Sequence, residues 1–98
     1  MLFSPSMRYK TVYGERALKS LENIEAYLSE RSENGARKVL AEIQLSIELL
    51  AKFPSIGREL AGLDMRTYIA RRYAYRIQYR VVGANIQILQ IYHPRQSG

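Results

Sequence analysis

The 98-residue chain contains no cysteine and a single histidine. The first absence excludes disulfides and thiolate metal sites. One imidazole is too few for a histidine-based metal centre. No apolar run approaches the roughly 18–20 residues that a membrane-spanning helix needs. GxGxxG, P-loop, HExxH and GxSxG patterns are all missing. A serine triad is not expected, because Ser55 and Ser97 have no evident partner. No cofactor and no metal are expected. The lack of cysteine is compatible with a reducing cytoplasm, the expected compartment. The opening "MLFSPS" is shorter than a signal peptide and has no charged n-region. Met7 then precedes the first patterned segment, so residues 1–7 are expected to be a flexible N-terminal extension of one domain spanning 8–98.

Acidic residues are also scarce, but only in half of the chain. Residues 1–51 hold seven Lys/Arg and seven Glu, and balance. Residues 52–98 hold eight Lys/Arg against two acids, Glu59 and Asp64, so the whole net charge of +6 lies there. This asymmetry points to an acidic partner, either nucleic acid or an acidic protein segment. A cation-rich face kept for solubility is the plainer alternative.

What is present is periodicity. "RYKTVY" (Arg8 to Tyr13) alternates and reads as a first strand. Ala17, Leu21, Ile24 and Leu28 then mark one face of a helix. Asn34-Gly35 suits a left-handed helix end. Ala36, Leu40, Ile43, Ile47 and Leu50 mark a second helix, which Pro54 stops. After the turn-rich "FPSIGRELAGLD" the period changes to two. Met65 to Arg71 and Tyr73 to Val82 read as strands, and "GAN" as a compact hairpin turn. Ile86 to Tyr92, apolar on both faces, reads as a central strand. The predicted fold is α+β of order β-αα-βββ, a helix hairpin packed on a small, mainly antiparallel sheet. Tyr73, Tyr75, Ile77, Tyr79 and Val81 should face the helices. Arg76, Gln78 and Arg80 should form the working surface.

One constellation could carry chemistry: Glu59, Arg66, Arg76, Arg80, Tyr92, His93 and Arg95. Metal-free RNA cleavage needs a base for the 2′-hydroxyl, cations around the phosphate and an acid for the leaving oxygen. Glu59, the arginines and His93 supply those residue types. The plainer readings are a strand-end histidine bonded to backbone and a surface Glu59 pairing Arg58.

The stretch from Phe53 to Gln96 resembles the ParE/RelE superfamily of bacterial toxins. The resemblance rests on Pro54-x-x-Gly57-Arg58, on Arg66 opening a strand, on Tyr75-Arg76-Ile77-x-Tyr79-Arg80, and on an Ile-x-Ile-Leu strand ending in His93. Ala17, Leu21, Ile24 and Tyr27 match the first helix, so it covers roughly residues 8–95. It implies the toxin of a type II toxin–antitoxin module, held by a cognate antitoxin through an acidic amphipathic segment and tied to plasmid stabilisation. The phrasing is closer to the ParE branch, which poisons DNA gyrase, than to the RelE branch, which cuts messenger RNA in the ribosome. Arg58, Arg66, Arg76, Arg80, Tyr92, His93 and Arg95 are then the implied antitoxin- or target-binding residues. On the alternative branch Glu59, Arg66 and His93 would be catalytic. ParE-like tails often read His-x-x-Arg, whereas here Arg95 falls one residue earlier and Gln96 follows.

Overall fold

The computed structural model describes residues 8–95. The flexible extension expected over residues 1–7 lies outside the described residues. Strand β1 (Lys10–Tyr13) leads into helix α1 (Glu15–Ser29), helix α2 (Glu33–Lys52) and strands β2 (Arg58–Glu59), β3 (Arg66–Ile69), β4 (Arg76–Val82) and β5 (Asn85–Tyr92). The sheet order is β1-β5-β4-β3-β2. β1 runs parallel to β5, and the other pairings are antiparallel. The α+β class and the helix hairpin over the sheet are as expected. β2, only two residues long, is an addition within what reads as a link.

The helix junction departs from its sequence reading. Asn34-Gly35 lies inside the first turn of α2. Ser32 caps that helix, its Oγ accepting from the Gly35 N–H at 3.0 Å. The end of α1 is closed without a left-handed residue, since the Arg31 and Ser32 N–H groups donate to Leu28 O at 3.0 and 2.8 Å with Glu30 right-handed. Positive φ is found instead at Gly62, Gly83 and Ala74. Ala74 sits in the β3–β4 turn, and β4 therefore begins at Arg76, after the expected Tyr73. The turn closes through Ala70 N–H to Tyr75 O (2.8 Å) and Ala74 N–H to Ala70 O (2.9 Å). Glu42 of α2 accepts from the Arg72 and Tyr73 amides at 2.7 and 3.3 Å, fixing the turn to the helix.

The core joins Ile24 of α1, Ile43, Ile47 and Leu50 of α2, and Ile77, Tyr79, Ile86, Ile88 and Ile91 of the sheet. β5 is central, as read, but its two-sided apolar pattern has a second cause. Tyr79 pairs with Ile88 while Gln78 pairs with Gln90, so Leu89 is an extra residue in the strand. This bulge resets the alternation and returns Ile91 to the side of Ile86 and Ile88, all buried. Val81, expected against the helices, is exposed near the hairpin end.

Candidate functional site

Register decides where the basic side chains go. Arg58 pairs with Thr67, Thr67 with Gln78, and Gln78 with Gln90, which makes one polar row across the sheet. Ile69, Arg76 and Tyr92 make the next row. Directly paired residues share a face, and buried Ile77 and Tyr79 belong to the helix side. Arg58, Arg76 and Arg80 therefore occupy the open face. Arg66 pairs with Tyr79, so it leaves the sheet on the helix side, although it shares a cavity with Arg80.

On that side Arg66 organises a loop. Its Nη1 donates to Gly57 O at 2.7 Å and Ser55 O at 3.2 Å, and its Nη2 to Glu59 Oε2 at 3.3 Å. Glu59 thus pairs Arg66 where the sequence suggested Arg58. Tyr79 completes the arrangement. Its hydroxyl accepts from the Gly57 N–H at 2.9 Å and donates to Pro54 O at 2.7 Å. Burial pushes the Tyr79 phenol above its ordinary value, and the Gly57 N–H and the Arg66 charge pull it partly back. The phenol keeps the proton that it donates to Pro54. A side chain at Gly57 would overlap the Tyr79 ring.

The open face is different. Arg80 forms only a loose pair with Asp64 at 3.6 Å. The Nε–H groups of both Arg76 and Arg80 are buried without a hydrogen-bond partner. Leaving such a donor unpaired is costly, so these two guanidinium groups call for an acceptor. Arg58, Arg76, Gln78 and Tyr92 line a cavity of about 360 Å³ on this face.

His93 lies elsewhere. Its Nδ1 accepts from the Arg95 N–H at 3.0 Å, and its ring meets Tyr75 edge-on at 5.1 Å between centroids. Tyr92, His93 and Arg95 line a cavity of about 540 Å³ between α1 and the end of β5. Glu59 instead lines a cavity of about 390 Å³ with Arg66, Asp64 and Arg80. The seven binding candidates thus divide into the open face (Arg58, Arg76, Arg80), the loop side (Arg66) and the strand end (His93, Arg95), with Tyr92 bordering both the open face and the strand end. Among the described residues there is no His/Asp/Glu cluster able to hold a metal ion, and no helix long and apolar enough to cross a membrane.

Sequence reasoning missed the bridging role of Tyr79 and the turn-fixing carboxylate of Glu42. Tyrosine among isoleucines was the available signal for the first, since a buried phenol hydroxyl needs a partner. Glu42 gave no signal, because its partners are backbone amides 30 residues away.

The chain is similar to known proteins along most of its length. Residues 12–98 match the family model described as the ParE toxin of the parDE type II toxin–antitoxin system. "Putative toxin Y4kP" of Sinorhizobium fredii is 31% identical over 82 residues, 84% of each chain. Among solved structures, one titled as the chromosomal ParDE system of P. aeruginosa superposes with a TM-score of 0.76 at 23% identity, covering 89% of this chain and 97% of that one. The RelBE2 toxin–antitoxin complex of Mycobacterium tuberculosis superposes at 0.64 and 21% identity, covering 88% and 98%. At these identities the two structures show the shared fold. The family match, the curated relative and the β-αα-sheet architecture agree: the chain belongs to the ParE toxin family of type II toxin–antitoxin systems.

Proposed function

We propose that this toxin acts on DNA gyrase in the cytoplasm and is silenced by a cognate antitoxin whose acidic, amphipathic segment covers the open sheet face. The observation that carries the antitoxin contact is the pair of unpartnered Nε–H groups on Arg76 and Arg80. Carboxylates suit them, since a guanidinium presents its donors in a planar fork. The apolar side of such a segment has a surface to meet. Leu45, Leu49, Phe53 and Ile56 form an exposed line along and beyond α2, Leu45 being 65% exposed. Lys38 and Lys52 stand seven residues to either side of Leu45, two helical turns each way, so they flank the line with positive charge. A disordered segment that wraps round the sheet edge, from the α2 line on the helix side to Arg76 and Arg80 on the open face, would bury the line and neutralise the cations.

Gyrase is preferred to messenger RNA because the acid–base set is dispersed. Glu59 pairs with Arg66 and borders the loop-side and open-face cavities, His93 lines the cavity at the strand end, and Arg66 spends its donors on Gly57, Ser55 and Glu59. General acid–base catalysis needs both groups within hydrogen-bond reach of one substrate. Purified toxin should yield gyrase-dependent cleaved plasmid DNA. Cuts in messenger RNA at the ribosomal A site, with gyrase untouched, would favour the nuclease branch and reject this reading.

A further inference from the structure

The cavity between α1 and the end of β5 has a topological origin. β1 pairs with Asn85–Ile88, so among the described residues the last ones of β5 have no strand on that side. A neighbouring strand would sit about 4.8 Å away. A helix with its side chains is about 10–12 Å across, and α1 stands beside β5 instead. The gap left measures about 540 Å³. The edge amide of Ile91 reaches into this region and finds only a long contact to Ser20 Oγ, 3.4 Å.

The lining has a particular chemistry. Tyr27 and His93 contribute rings, Ser20 and Asn23 contribute short polar groups, Arg95 contributes a cation, and Tyr92 borders the cavity from the strand. None of the described lining residues carries a carboxylate. Both rings are held in place. Arg31 lies 3.9 Å over the Tyr27 ring and donates to Tyr27 O at 3.1 Å. His93 is pinned by Tyr75 and by the Arg95 amide, and with Nδ1 accepting, its proton resides on Nε2. We infer that this cavity is a binding site for a nucleoside phosphate, presented either as a free nucleotide or as the end of a single strand. The volume falls within the roughly 300–1,000 Å³ of small-ligand sites. Aromatic rings take a base by stacking, hydroxyl and amide groups read its edge, and arginine with the imidazole N–H takes the phosphate. The site meets the open sheet face at Tyr92, which borders both cavities, and does not depend on which target that face serves.

Amide NMR spectra of the folded chain, titrated with AMP, adenosine, inorganic phosphate and a 5′-phosphorylated thymidine strand, test this directly. AMP should move the resonances of Ser20, Asn23, Tyr27, Ile91, Tyr92, His93 and Arg95, and do so at lower concentration than adenosine or phosphate alone. A strand that shifts the same residues at still lower concentration identifies a strand end as the source. Tighter AMP identifies a free nucleotide. Asn23→Asp places a carboxylate in the cavity from an exposed position, and Tyr27→Ala removes a stacking ring. Each should weaken AMP by about ten-fold or more. If Tyr27→Ala unfolds, Asn23→Asp still decides. The inference fails if AMP and the strand leave these resonances in place at millimolar concentration. It fails equally if inorganic phosphate matches AMP, if shifts fall only on Arg58, Arg76 and Arg80, or if a folded Asn23→Asp binds as the parent does.

Discussion

Arg66 and Arg76 sit on adjacent strands, yet they do opposite work. Arg66 points to the helix side, and its donors end on Gly57 O, Ser55 O and Glu59. Arg76, with Arg80, points to the open face and keeps a buried Nε–H without an acceptor. One is an internal brace for a loop; the others are donors awaiting a partner. The contrast teaches that a count of positive charge does not measure a binding surface. Register decides which cations are spent inside the fold and which stand on the open face.

Four changes test that division, from the largest expected effect on stability to the smallest. Gly57→Ala drives a methyl group into the Tyr79 ring and should cost about 1–3 kcal/mol or more through overpacking, read as a lower urea midpoint. Tyr79→Phe keeps the ring but strands Gly57 N–H and Pro54 O, so a loss of about 1–3 kcal/mol is expected. Arg66→Ala removes loop contacts that are partly solvent-exposed and should cost about 1 kcal/mol, with greater protease sensitivity at Ser55–Glu59. Arg76→Ala should change stability by no more than about 0.5 kcal/mol, yet weaken antitoxin binding about ten-fold, or 1.4 kcal/mol, in calorimetric titration. A stable Arg66→Ala protein with lost affinity, or an unstable Arg76→Ala protein with full affinity, would invert the comparison.

The brace should also show in alkaline solution. The folded Tyr79 phenol titrates above its ordinary 10.0 because it is buried. The folded state therefore holds its proton more tightly than the unfolded chain. Stability from this group is complete below pH 10 and falls as pH rises past it. Melting temperatures of the parent and Tyr79→Phe proteins should converge above about pH 10. A gap that stays constant would place the Tyr79 proton outside the balance.

Most of the architecture was legible because it rests on long periodic segments. The stripe from Ala17 to Leu28, the stripe from Ala36 to Leu50 and the alternation in 73–82 each repeat often enough to declare their period. What escaped was short or relational. β2 has two residues, too few to show alternation. The Leu89 bulge is defined by pairing with β4 and has no mark of its own. Arg66 shares its residue type with Arg76, and only its pairing with Tyr79 sends it to the other face. Site candidates were drawn toward one end of the chain, and their division among the surfaces depends on register and on where β1 stops.

That stop has a consequence in time. β1 at Lys10–Tyr13 is completed by Asn85–Ile88, near the opposite end of the described chain. A pairing across so wide a sequence separation carries a large loop-closure cost and forms slowly. During synthesis at about 5–20 residues per second, β1 and both helices emerge while the strand that must lie between β1 and β4 does not yet exist. The open face, with Arg76 and Arg80, is assembled only when that strand slots in. In the interval before that strand pairs, an antitoxin already present would meet a chain whose open face is still incomplete.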